Sequence, residues 1–128
     1  MARNQNETIE ISNPAVLPEK PVVSIHMSTY KHEKYIAAAI EGVVTQQYPF
    51  PFELIIGEDC SPDNTRQIVL DYQRRYPHII RVLTAETNVG AKANTLRCRN
   101  AVRGDYIAIC EGDDYWTDTS KLMRQVEL

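Results

Sequence analysis

The stretch Tyr106-Ile107-Ala108-Ile109-Cys110-Glu111-Gly112-Asp113-Asp114-Tyr115-Trp116 is an apolar run that stops at three carboxylates within four residues. Coming after the turn signal Arg103-Gly104-Asp105, the run predicts a strand buried on both faces, with the acids at its carboxyl end. In open parallel sheets that edge is where ligands bind. Glu111, Asp113 and Asp114 would raise one another's pKa values unless a metal ion, a basic partner or solvent relieved the repulsion. Two readings are open: a divalent-metal site, or a solvated acidic loop capping the helix that begins near Thr119. The placement at a strand's carboxyl end favours the metal. A hard cation such as Mg²⁺ or Mn²⁺ completes its shell with water and substrate phosphates, so the implied substrate is a diphosphate.

Working outward, the chain of 128 residues fits one domain, and 43% hydrophobic composition supplies a single core. Fourteen Lys and Arg against 17 Asp and Glu, both scattered, indicate neither a nucleic-acid surface nor an acidic tail. Cys60, Cys98 and Cys110 contain no close pair, which argues for free thiols and a reducing compartment. The amino terminus is polar and no run approaches about 18 apolar residues, so neither a secretory signal nor a membrane span is read. The chain is expected to be soluble and cytoplasmic, with any membrane association arising only through segments it does not contain.

Residues 1 to 20 are polar and carry Pro14 and Pro18, and they predict a tail or linker ahead of a domain over 21–128. Strands are expected at Val22–Met27, Phe52–Ile56, Ile79–Leu83 and Tyr106–Cys110. Helices are expected over about 33–47, from Ser61-Pro62-Asp63 to Tyr76, over Ala91–Val102 and from Thr119. About four strands alternating with helices imply right-handed crossovers, a parallel sheet with helices on both faces and the α/β class.

Three further groups fall on the same sheet edge. Glu58-Asp59-Cys60-Ser61-Pro62-Asp63 follows the second strand, and a carboxylate there can accept from a nucleobase or ribose. Asp59 is the candidate, because Asp63 is explained equally well by helix capping. Ser28-Thr29-Tyr30-Lys31-His32 follows the first strand and offers hydroxyls, a ring and cations, whereas His26 reads as a satisfied core residue and His32 as a surface one. Asn88-Val89-Gly90-Ala91-Lys92 opens a helix whose free amides and Lys92 could face phosphate or base, or Lys92 is simply solvated. Tyr115 and Trp116 fit a wall for a sugar ring or buried aromatics, and neither is assigned.

These motifs, with Gly104-Asp105-Tyr106-Ile107-Ala108 and Glu111-Gly112-Asp113-Asp114, resemble in order and spacing the family-2 inverting glycosyltransferases across about residues 22 to 123. The resemblance implies a Rossmann-like, GT-A type nucleotide-binding half that holds a nucleotide-diphosphate sugar through Mn or Mg, with a UDP-sugar as the favoured donor. By position, Ser28, Thr29 and Tyr30 would line the base pocket and Asp59 would accept from the base. Glu111 would lie near the ribose as the first acid of the D-x-D motif. Asp113 would ligate the metal, with Asp114 as a second contact. Glu58 and Glu111 stand where relatives carry aspartates. Asn94-Thr95-Leu96 replaces the common Ala-Arg-Asn, leaving Lys92 or Arg97 to substitute for that arginine.

Family members continue for roughly another domain half, so the catalytic base is expected beyond Leu128. The chain therefore reads as a donor-binding portion, truncated at its carboxyl end and alone inactive, of an enzyme moving a sugar to a sugar or lipid-linked hydroxyl acceptor in polysaccharide or glycoconjugate synthesis. The rival reading is a non-catalytic nucleotide-binding or interaction module. A phosphoacceptor signalling domain ranks last, since it expects an acid pair where this chain has Ser28-Thr29-Tyr30.

Overall fold

The computed structural model describes residues 7–114 and 116–126, with side chains described through residue 123. Five strands, β1 (Ile9–Ile11), β2 (Val23–Thr29), β3 (Phe52–Glu58), β4 (Ile80–Thr84) and β5 (Tyr106–Ile109), form one sheet in the order β1-β4-β3-β2-β5. Pairings among β2 to β5 are parallel, and β1 joins β4 antiparallel. Between them run α1 (Ile36–Val44), α2 (Thr65–Arg75) and α3 (Ala91–Asn100), and α4 (Lys121–Val126) follows β5. The expected α/β class, parallel core and helix order are observed.

Strand alternation divides the sheet into two unlike faces. Val23, Ile25, Met27, Leu54, Ile56, Ile80 and Val82 pack with Ile36, Ala39, Ile40 and Val43 of α1 and Val69 and Tyr72 of α2. The α1 residues recur at helical spacing, which is why that segment winds as an amphipathic helix against this face. Burial of each such aliphatic side chain is worth roughly 1.5–3 kcal/mol. The opposite face carries Ile55 and Leu83 under Cys98 of α3, but also Ser24, His26, Glu53 and Arg81, all buried.

Those polar residues form one network. Glu53, fully buried, accepts from Arg81 Nη1 at 3.1 Å, Arg103 Nη2 at 2.9 Å and Nε at 3.0 Å, and Ser24 Oγ at 2.6 Å. Arg81 also donates to both carboxylate oxygens of Glu10, at 2.9 and 3.1 Å, and to the Ala101 carbonyl at 2.7 Å. Salt-linked Glu10 corrects the tail reading. Residues 9–11 belong to the sheet, because Ile9-Glu10-Ile11 pairs with β4 and supplies the carboxylate that Arg81 needs.

A second correction concerns β5. Read as buried on both faces, it is an edge strand with Tyr106, Ile107 and Ile109 exposed and Ala108 alone buried. An apolar run without alternation cannot by itself tell a central strand from an edge.

His26 is a core residue as expected, with Nε2 2.9 Å from Ser28 Oγ. Burial, and secondarily the Arg99 charge, hold its pKa below the ordinary 6.5. A lowered pKa means the unfolded chain takes up a proton first as pH falls, so the His26 contribution is present above about 6.5 and lost as pH drops through the folded value. Thermal unfolding followed between about pH 7 and pH 5 should therefore show a fall in Tm that His26→Gln makes shallower.

Candidate functional site

The carboxyl ends of β2 and β3 and the loops after them meet at one rim. Three backbone bonds knit it: Asp59 N to Thr29 O at 3.1 Å, Cys110 N to His26 O at 3.0 Å and Gly112 N to Ser28 O at 3.0 Å. They enclose an open cavity of about 360 Å³ lined by Ser28, Thr29, Tyr30, His32, Asp59, Asn88, Gly90, Ala91, Asn94 and Glu111. Five of the sequence candidates, Ser28, Thr29, Tyr30, Asp59 and Glu111, thus share one pocket at the predicted sheet edge. Lys31 and Cys60, with φ of 58° and 54°, hold the left-handed region at this rim. Such strain in non-glycine residues gathers at functional sites.

Asp59 is 3% exposed, and its carboxylate accepts from Val89 N at 2.7 Å and Gly90 N at 3.1 Å while its carbonyl accepts from Asn88 Nδ2 at 3.0 Å. Its first task is to clamp the Asn88-Val89-Gly90 turn, and each oxygen keeps a lone pair for a ligand. Gly90 starts α3 with φ of 95°, a conformation that a side chain makes costly. Glu58, fully buried, folds back to accept from Cys60 N and Ser61 N, both at 3.0 Å, and so shapes the same loop. Asp63 accepts from Thr65 N at 3.0 Å, a local turn just ahead of α2 in place of the expected capping, since the cap position is Asn64.

The acids after β5 are arranged more loosely than the sequence suggests. Glu111 lines the cavity, whereas Asp113 and Asp114 are exposed beside it and do not line it. Among the described residues no group of three His, Cys, Asp or Glu side chains converges as a metal cage would. The three-acid cluster is corrected on that point: the turn closed by Asp114 N to Glu111 O at 3.0 Å spreads the side chains. A divalent ion still fits the charge pattern. Burial first, and then the Asp113 charge, hold the Glu111 carboxyl above the ordinary 4.5, a repulsion that a cation beside the two acids would relieve. One or two carboxylates plus phosphate oxygens are what Mg²⁺ commonly uses.

Lys92 is exposed on α3 and lines a neighbouring groove with Thr95, Leu96 and Arg99 instead of the cavity, because Lys92 and Asn94 are about half a helical turn apart and Asn94 is the one that faces inward. Arg97 supports the site from beneath, donating to Asn94 Oδ1 at 2.9 Å and the Glu58 carbonyl at 3.0 Å. Trp116 is buried in the core with Lys121 over its ring, and so is no sugar wall; Tyr115 lies outside the described residues.

Sequence reasoning missed His32, read as a surface residue. Its Nδ1 is 3.0 Å from Thr29 Oγ1, its Nε2 3.9 Å from Asp113 Oδ2, and its backbone N–H donates to Thr65 Oγ1 at 2.9 Å. Gly112 makes this possible, since a Cβ there would lie 2.5 Å from Thr29 Oγ1. The available signal was the Thr29-x-x-His32 spacing beside a glycine in the acidic loop.

Residues 24–128 match the model of Glycosyl transferase family 2. The chain belongs to that family. An uncharacterized protein of Mycobacterium tuberculosis is 45% identical over 105 residues, covering 82% of this chain and 30% of its own length. The Bacillus subtilis putative teichuronic acid biosynthesis glycosyltransferase TuaG is 34% identical over 108 residues, covering 84% of this chain and 42% of its own length. The chain therefore spans between about a third and under half the length of those relatives.

Residues 1–349 of S. aureus TarS, solved in complex with UDP, superpose with a TM-score of 0.71 at 30% identity over 80% of this chain and 30% of that one. A Pyrobaculum calidifontis mannosyltransferase, solved with GDP-Man and Mn²⁺, shares the fold with a TM-score of 0.70 at 19% identity, covering 78% of this chain and 30% of its own. The GT-A type architecture implied by the sequence motifs is the fold observed. No helix among the described residues is long and apolar enough to cross a membrane.

Proposed function

We propose that this glycosyltransferase chain binds a nucleotide-diphosphate sugar, a UDP-sugar first among them, in the cavity between the ends of β2 and β3, together with Mn²⁺ or Mg²⁺. The observation that carries this reading is the convergence of Ser28, Thr29, Tyr30, Asp59 and Glu111 on one pocket. Tyr30, with its ring at the mouth, offers a stacking surface to the base, and Ser28 and Asp59 offer hydrogen bonds to base or ribose. Glu111 borders the ribose. Asp113, and less directly Asp114, would hold the metal against the diphosphate, which a cation stabilises as charge develops on the leaving group.

The reaction so served is transfer of a sugar, hexosyl or related, to a hydroxyl of a sugar or lipid-linked acceptor with inversion. Its setting would be cytoplasmic polysaccharide or glycoconjugate synthesis. The base that deprotonates the acceptor is assigned to no residue of this chain.

Isothermal calorimetry with UDP tests the reading. Binding is expected to require Mn²⁺ or Mg²⁺, and Asp113→Asn should weaken it by at least about tenfold while leaving the melting temperature unchanged, as befits a side chain 58% exposed. Metal-independent binding, or binding indifferent to that substitution, would overturn it.

A further inference from the structure

His32 is held more firmly than pocket lining requires. Its backbone is tied to Thr65 Oγ1, and its ring fills the space between Thr29 and Gly112, where a Cβ on Gly112 would lie 2.8 Å from Nδ1. The Thr29 residue is 1% exposed, and among the described residues its hydroxyl has one side-chain partner within 3.0 Å, His32 Nδ1. A buried hydroxyl must place its proton on an acceptor. When Nδ1 accepts it, the neutral ring carries its own proton on Nε2. That nitrogen faces Asp113 Oδ2 at 3.9 Å, short of a hydrogen bond, so electrostatic attraction links the two. Glu111 lines the same cavity as this ring.

We propose that His32 is a positioning residue of the donor site, whose Nε2–H steers the Asp113 carboxylate toward the cation of a bound nucleotide diphosphate. The inference rests on the donor-binding reading above. Thr29, the hydroxyl at the end of β2, sets the tautomer; His32 transmits that setting across the rim to the loop after β5. Outer groups that orient a metal-ligating carboxylate commonly govern affinity for the ion by 10- to 100-fold.

The test titrates Mn²⁺ into the 128-residue chain in the presence of UDP, with uridine as a metal-independent control. His32→Ala should raise the half-saturating Mn²⁺ concentration by about tenfold, a change several times larger than any it causes in metal-free uridine affinity. Two conservative variants separate steering from mere anchoring. Gln places an amide N–H near the Nε2 position, and Asn places its amide near Nδ1, within reach of Thr29. Recovery by His32→Gln and not by His32→Asn is the expected result. Recovery by Asn alone or by neither, or an unchanged Mn²⁺ requirement in His32→Ala, overturns the inference while the donor-binding reading stands. Should the wild-type chain bind UDP without metal dependence, the reading fails and this inference with it.

Discussion

Glu53→Ala should lower the unfolding free energy by about 3–5 kcal/mol, the largest loss expected from a single substitution in this chain. The carboxylate is fully buried, and it neutralises both Arg81 and Arg103 while accepting from Ser24. Removing it leaves Arg81, itself 7% exposed, with Glu10 as its remaining counter-ion and strips Arg103 of its acid partner. Glu53→Gln keeps the shape and an acceptor oxygen and should cost less, because a neutral amide still satisfies Ser24 and one guanidinium. Urea denaturation of the two variants gives the comparison. An alanine variant as stable as the wild type would mean that the network is not holding the amino-terminal end of the sheet.

The second large effect is expected at Asp59. Asp59→Ala leaves the amides of Val89 and Gly90 without their acceptor, and bonds to a charged group are worth about 1.5–3 kcal/mol each. The consequence is felt twice. Stability falls by a few kcal/mol. The Asn88-Val89-Gly90 turn, released from the rim, no longer sets the wall of the cavity, so UDP affinity should drop by well over about tenfold. Asp59→Asn retains one acceptor oxygen and should lie between alanine and wild type in both measurements. Loss of affinity with no loss of stability would reassign Asp59 from clamp to direct ligand contact.

These two residues show what the sequence conveys and what it withholds. Asp59 was legible as a candidate site residue because an acid after an apolar strand falls on a predictable edge, yet its bonds to Val89 and Gly90 join loops 30 and 31 residues apart. Nothing in local pattern encodes that closure. The parallel direction of β2, β3 and β4 was readable from strand and helix alternation, whereas the edge position of β5 depends on which strand pairs with which. Ile9-Glu10-Ile11 alternates, but over three residues, too short to outweigh the prolines that follow. His32 read as a surface residue because the partners that hold it, Thr65, Gly112 and Asp113, are distant in sequence. The spacing of Asp113 and Asp114 marked candidate metal contacts, but proximity in sequence does not tell how far the turn after β5 spreads their side chains.

One feature of the sheet bears on how the chain finds this arrangement. Glu53 and Arg81 alternate with Leu54 and Ile80, which are buried on the other face. Slipping β3 or β4 by one residue would exchange the two sets and push a carboxylate or guanidinium into the apolar layer beneath α1 and α2. Unpaired ions there cost several kcal/mol apiece. The buried charges thus act as a proofreading code for strand alignment, penalising misregistered sheets by more than they strengthen the correct one.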